Sequence, residues 1–309
     1  MGYNFNMNWF LIALLPPALW SITNHIDKYL LAKFFKGGGV GALMVFSSII
    51  GVFLLPIIVF LHPEVLHFSA NSLLIALNGF LYILAVLPYF YALQKDEASI
   101  AVPIFQLIPV FSYVLAYFVL GETLTKYQMI GGAFIVAGAV GISLDLSEKK
   151  KVKLKKDVFW LMFLSSLIFA LNFLFFKFFA IQSDFWYTSF WEYIGFAIFA
   201  TLLMLFVKSY REQFLELLKT NKATVLGING INEIVNIIAK VAFNFASLLT
   251  PVTMVWIVNG LQPFFVFLYG ILLTLIFPHI SQEDLSKKSL YQKIIAILVM
   301  FFGTYLINK

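Results

Sequence analysis

Between residues 227 and 249 the sequence reads GINGINEIVNIIAKVAFNFASLL, an apolar stretch that also carries Asn229, Asn232, Glu233, Asn236, Lys240 and Asn244. An advance of 100° per residue places all six in one stripe about 120° wide. Glu233 falls near the middle of the segment. Lys240 lies two turns further on, about 10 Å away, which is too far for an ion pair along one helix. A charge left in hydrocarbon costs roughly 2.5–3.5 kcal/mol on insertion scales, so the stripe must face protein or water. Few partners exist in the other apolar segments: Glu192, Lys177, and the neighbours Asp27 and Lys28. In one reading Glu192 neutralises Lys240 or Lys177, and the asparagines complete a static polar network. In the other, the stripe lines a cavity for a solute. Two carboxylates and two lysines would suit a ligand with both signs of charge. Lys240 or Lys177 would take its carboxylate or phosphate, and Glu233 or Glu192 its amine. A buried carboxylate could instead carry a coupling proton.

The rest of the chain is what positions this stripe. Of its 309 residues 61% are hydrophobic and 12% charged, against about 45–50% and about 25% in soluble domains. This is the composition of a membrane protein. The eighteen Gly and ten Pro are scattered through apolar segments, which spanning helices tolerate. Strand-like alternation is absent, which argues against a membrane barrel. With no cysteine, disulfides and thiolate metal sites are excluded. The net charge of +6 comes from lysines between apolar segments, where they meet lipid headgroups, so it does not point to nucleic acid. The opening MGYNFNMNWF has no basic residue before its apolar run, so the first segment is expected to stay in the mature protein.

A spanning helix needs about 20 mostly apolar residues. Ten segments qualify, near 9–31, 40–61, 72–94, 98–120, 127–145, 157–181, 187–208, 223–248, 252–277 and 290–307. Three polar connections stand out, at 145–157, 208–223 and 278–293. The first divides the chain into residues 1–145, a basic linker 146–156, and residues 157–309. The halves overlay in several registers. A shift of 154 matches Asn78 with Asn232 and Pro109 with Pro263, a shift of 144 matches Gly51 with Gly195, and a shift of 149 matches Lys28 with Lys177. Five helices per half make the second half enter from the opposite side, giving an inverted repeat, a hallmark of carriers. The stripe's counterpart in the first half keeps Asn78 and Tyr82 but then has Val86 and Phe90. The charges therefore belong to one half only, which favours the cavity reading. The candidate substrate-binding residues are Glu233, Lys240, Asn236, Asn232, Asn229, Glu192, Lys177, Asn78 and Tyr82.

Weaker candidates are Gln106, Asn259 and Gln262 on the fourth and ninth segments, Trp20 and Trp256 as stacking platforms, and Asn24 and His25 near a cavity mouth. Pro103, Pro109 and Pro263 are expected to kink helices, and Gly131, Gly132 and Gly138 to permit close helix packing. His62, His67 and His279 lie in or beside loops. The zincin, CxxC, Walker and G-x-S-x-G patterns are missing, so hydrolytic, redox and ATP-driven chemistry lacks support.

Residues 92–142 carry a distinctive order of signals. Ala98-Ser99 opens a helix with Pro103 and Pro109, Gly121-Glu122 follows it, and Gln128, Gly131 and Gly138 mark the next helix. In this the chain resembles the EamA-type transporters of the drug/metabolite transporter superfamily. The second half departs from the pattern, with no Gly-Glu after the ninth segment and a longer loop holding Glu283 and Asp284. The resemblance implies an all-α protein of ten membrane helices, arranged as two inverted five-helix repeats around a central cavity and working by alternating access. The function expected is secondary active transport of a small polar metabolite, with an amino acid or related zwitterion favoured. The alternatives are a carrier of sugar phosphates or nucleotide sugars, and a membrane enzyme acting on a lipid or isoprenoid. No cofactor is expected. The expected partners are the solute, the bilayer of the cell membrane, and a proton or counter-substrate, with the chain a monomer or a dimer. Orientation is drawn two ways. Lys33, Lys36, Lys95, the run Lys149 to Lys156, Lys208, Arg211, Lys219, Lys222, Lys287 and Lys288 crowd one face, against Lys126 and Lys309 on the other. That bias puts both termini outside, whereas the resembled family has both inside.

Overall fold

The computed structural model describes residues 5–33, 40–95, 102–143, 156–276 and 286–309. The linker from 146 to 155, Ala98 and Ser99, and His279, Glu283 and Asp284 lie outside these, as do the side chains of Lys28 and Pro103. Among the described residues eleven α-helices follow in order: α1 (Phe5–Lys33), α2 (Val40–Leu61), α3 (Ala70–Lys95), α4 (Ile108–Leu120), α5 (Lys126–Ser143), α6 (Lys156–Gln182), α7 (Phe185–Phe206), α8 (Lys208–Leu249), α9 (Val252–Asn259), α10 (Gln262–Ile276) and α11 (Lys287–Ile307). Short 3-10 helices at Pro63–Leu66 and Val102–Leu107 precede α3 and α4. The protein is an all-α, multi-pass integral membrane protein. Among the described residues eight helical stretches are long and apolar enough to cross a bilayer, with α9 and α10 together forming one, Val252–Ile276. The fourth and fifth of the ten expected spans are shorter apolar helices, Ile104–Leu120 and Lys126–Ile142.

Two elements differ from the sequence reading. Residues 208–223, expected as a connection, are helical and continuous with the following span, so α8 runs for 42 residues. No Gly or Pro occurs between Lys208 and Leu226, and the segment is rich in Glu, Lys and Leu, all good helix formers. Its apolar side is held against the first half. Phe214 packs on Phe46 with ring centroids 4.9 Å apart, and the Gln213 side chain accepts a bond from the Gly41 N–H at 3.2 Å. The second difference concerns the prolines. Pro109 and Pro263 start α4 and α10 instead of kinking a longer helix. A first-turn proline gives up no hydrogen bond there, because the first N–H groups of a helix have no internal partner. Among the described residues Pro16, Pro17, Pro56 and Pro88 are the prolines in the interior of α-helices.

Close packing occurs where glycine faces backbone. Gly131 and Gly138 of α5 meet the main chain of α11 at Gly303 and Ala296. Gly79 of α3 lies against the Glu192 carbonyl of α7, and Gly195 of α7 against the Ala76 carbonyl of α3. This second crossing brings two polar residues of the stripe's surroundings, Asn78 and Glu192, into contact.

Candidate functional site

The stripe on α8 is the polar axis of the molecule. Asn229, Asn232, Glu233, Lys240 and Asn244 are each at most 4% exposed, and the hydrogen-bond partners that Asn232, Glu233 and Lys240 find off α8 come from α1, α2 and α7. Asn232 donates to the Asp27 carboxylate of α1 at 2.7 Å. Glu233 accepts from the Ser47 hydroxyl of α2 at 2.7 Å and from Asn236 at 3.3 Å. Trp20 of α1 in turn donates its indole N–H to Asn236 at 2.8 Å. One turn on, the Lys240 ammonium meets Glu192 of α7, with Nζ 3.0 Å from one carboxylate oxygen and 3.2 Å from the other.

Glu192 is the hub of the inner network. Its Oε1 also accepts from Asn172 of α6 at 3.1 Å and from Asn78 of α3 at 3.3 Å. These two asparagines each donate to the other's main-chain carbonyl, at 3.1 and 2.8 Å. Lys240 is further enclosed by rings, its Nζ lying 4.4 Å from the centroid of Tyr82 and 4.7 Å from that of Phe173. A buried charge needs this many partners, because the desolvation of both ions has to be offset locally.

The expected central cavity is almost filled. Tyr82 stacks on Phe196 with centroids 5.1 Å apart, and Phe173 packs against Phe243 at 4.3 Å and Trp256 at 5.0 Å. What remains on the stripe is a cavity of about 10 Å³ lined by Ser47, Tyr82, Tyr193, Phe196, Glu233, Asn236, Ile237 and Lys240. That is room for about one water. Its two charged walls are unlike: Lys240 is neutralised by Glu192, whereas Glu233 has no basic side chain within 4 Å among the described residues.

Lys177 does not join this group. It pairs with Glu122 and donates to the Thr250 carbonyl at 2.8 Å. Glu122 follows the left-handed Gly121 that ends α4 (φ 65°) and accepts the Val252 N–H at 2.9 Å, capping the start of α9. The pair thus joins α4 and α6 to the α8–α9 junction. Glu122→Gln would keep the bond to Val252 and leave Lys177 without its counter-charge. A loss of about 1.5–3 kcal/mol is expected, read as a lower midpoint of thermal unfolding in detergent. A midpoint equal to the wild type's would show that Thr250 alone suffices for Lys177.

Of the nine candidate residues, Glu192, Lys240, Asn78 and Tyr82 form one cluster. Glu233, Asn236 and Asn232 continue it along α8, with Asn229 beyond them, and Lys177 is elsewhere. Asn259 and Gln262 bond to each other across the α9–α10 break at 3.3 Å. His25 shares a hydrogen bond with the Val266 carbonyl at 3.0 Å. Sequence reasoning did not single out Asn172 or Ser47. Asn172 had a usable signal, being one amide in the otherwise apolar run ALNFLFF, where a polar side chain must find a partner.

Residues 7–144 match the sequence profile of the EamA-like transporter family. An uncharacterized protein of Methanocaldococcus jannaschii is 33% identical over 99 residues, which are 32% of this chain and 72% of that protein. A solved structure titled only "Crystal structure of protein" superposes with a TM-score of 0.66 at 16% identity, covering 97% of this chain and 96% of that one. That likeness concerns the fold and runs through both halves. Residues 7–144, somewhat under half of the chain, are thus similar to an EamA-like domain, which gives the chain a broad membrane-transporter character.

Proposed function

We propose that this EamA-type membrane protein is a secondary active carrier whose solute site is the face of α8 between Glu233 and Lys240. The carrying observation is the small cavity there, walled by a carboxylate without a basic partner on one side and an ammonium on the other. An amino acid or related zwitterion fits both walls. Its amine takes Glu233, and its carboxylate competes with Glu192 for Lys240. Tyr82, Tyr193 and Phe196 cover the apolar part. Admitting such a solute requires these rings to part, which is the movement that alternating access supplies.

Ten spans in two inverted five-helix halves, 1–145 and 157–309, account for several features together. The shift of 154 that pairs Asn78 with Asn232 also pairs the break before Pro109 with the break before Pro263. In each, a helix of the bundle is interrupted at the same position of its half, as in carriers whose discontinuous helices flank the solute. The relative from M. jannaschii, of which 99 residues are 72% of the length, is itself less than half as long as this chain. A unit of that size is what a duplication would start from.

The test is counterflow of radiolabelled amino acids in proteoliposomes. The wild type should exchange at least one of them, and Glu233→Gln should abolish exchange while inserting and purifying normally. Unchanged transport by Glu233→Gln would remove Glu233 from the solute site. Exchange of sugar phosphates or nucleotide sugars, and of no amino acid, would replace the zwitterion with an anion.

A further inference from the structure

We infer that Asp27 is the group that takes the coupling proton, at a site formed with Asn232 and separate from the solute site. This rests on the carrier reading above and assigns its coupling partner. Three observations carry it.

The first is the distribution of charge among the membrane helices. Glu192 is paired with Lys240, and Glu122 with Lys177. Asp27 and Glu233 remain, neither with a basic side chain within 4 Å among the described residues. If Glu233 holds the amine of the solute, Asp27 is the carboxylate left over. A carboxylate near the membrane interior without a cation is stable only when it is protonated or opens to water.

The second is a set of unpartnered amide atoms on α8. Asn229 is 1% exposed, and neither its amide oxygen nor its amide nitrogen has a hydrogen-bond partner. Asn232 is 4% exposed; its nitrogen holds Asp27, and its oxygen has no partner. A protonated Asp27 has one O–H to give, and the Asn232 oxygen, on the same amide that already holds the carboxylate, is a buried acceptor without a donor. Glu233, by contrast, already has both oxygens accepting, from Ser47 and Asn236. The few oxygens at hand also fall short of the six or so that a hard metal cation takes.

The third is position. Asp27 closes the apolar span Trp9–Asp27 and is half-buried, at the end of α1 that leads to the lysine-rich face. It can therefore exchange with water on that side while Glu233 lies deeper. Among the described residues the titratable groups facing it are Glu233 of α8 and Tyr89 of α3. The other helices packed on α1, α9 and α10, contain no Asp, Glu, His, Lys or Arg, and His25 of α1 itself is turned to the Val266 carbonyl. A proton on Asp27 removes the repulsion between two neighbouring carboxylates. Its loss restores that repulsion, which links the proton to the conformation of α1 against α8.

The experiment uses the purified full chain in proteoliposomes and a mixture of radiolabelled amino acids. Two readouts are taken: accumulation under an imposed pH gradient, and counterflow without one at several pH values. The wild type should accumulate label under the pH gradient, with counterflow that varies with pH. Asp27→Asn, a mimic of the protonated side chain, should lose at least tenfold in gradient-driven accumulation while still exchanging label, now independently of pH. Asp27→Glu should restore coupling in part. Three results would overturn the proposal: gradient-driven accumulation by Asp27→Asn, loss of exchange in Asp27→Asn with a wild-type melting midpoint, or accumulation driven by a sodium gradient without a pH gradient. Absence of counterflow in the wild type would instead bring down the carrier reading on which this one rests.

Discussion

Replacing Glu192 with Gln, or Lys240 with Met, is expected to destabilise the protein by about 3–5 kcal/mol each, whereas both replacements together should cost far less than their sum. Removing one partner of a buried pair leaves an uncompensated charge in low dielectric, and that residual charge dominates the loss. In Lys240→Met the Glu192 carboxylate would keep only the two amide donors, Asn78 and Asn172. In Glu192→Gln the ammonium would lose its counter-charge and keep at most a neutral amide oxygen in place of Oε1 and the faces of Tyr82 and Phe173, the latter worth about 0.5–2 kcal/mol. The double variant leaves no charge. Met fills the space of the lysine stem among the rings, and Gln can still accept from both asparagines. Unfolding midpoints of the four proteins in one detergent give the coupling energy directly. If the two single effects simply add, the pair is not an isolated unit, and the charges are compensated by water in the adjoining cavity. The double variant also separates stability from transport. Under the proposed carrier function it should be folded and inactive, because the group assigned to the solute's carboxylate is gone.

The parts of this site that the sequence reveals are those that recur along one helix. Six polar residues at helical spacing in α8 define a stripe without any knowledge of its neighbours, and the structure buries that stripe. Pairing is a different matter, because it depends on which helices are adjacent. Lys177 and Lys240 are both lysines in apolar helices, and nothing local distinguishes the one that meets Glu122 from the one that meets Glu192. Asn172 and Ser47 are single polar residues in apolar runs, without a period to mark a face. The filling of the centre was equally hidden. Aromatic residues form 18% of the chain, and only the packing selects Tyr82, Phe173, Phe196, Phe243 and Trp256 as the rings that close it. Helix continuity between 208 and 223 was readable from propensity, but the polar character of that segment suggested a connection.

Gly195→Leu should be among the most damaging substitutions in the protein, although it adds apolar surface to a membrane helix. A Cβ at residue 195 would overlap the main-chain carbonyl of Ala76, and one at residue 79 that of Glu192. Main chain cannot swing aside as a flexible side chain can, so α3 and α7 would have to separate. Overpacking of this kind costs about 1–3 kcal/mol. Here the separation also pulls on the bond from Asn78 to Glu192 and on the exchange of bonds between Asn78 and Asn172. Stranding those buried groups adds about 1–3 kcal/mol. The loss should therefore approach that of Glu192→Gln, and it should be smaller when introduced into the Glu192→Gln/Lys240→Met background, where less charge depends on the network. Gly227→Ala is the control, since a Cβ at residue 227 meets nothing within 4 Å and Gly→Ala inside a helix gains about 0.5–1 kcal/mol. A thermal midpoint for Gly195→Leu that matches Gly227→Ala would show that α3 and α7 do not cross at these glycines. The route by which Asn78 reaches Glu192 would then have to be redrawn.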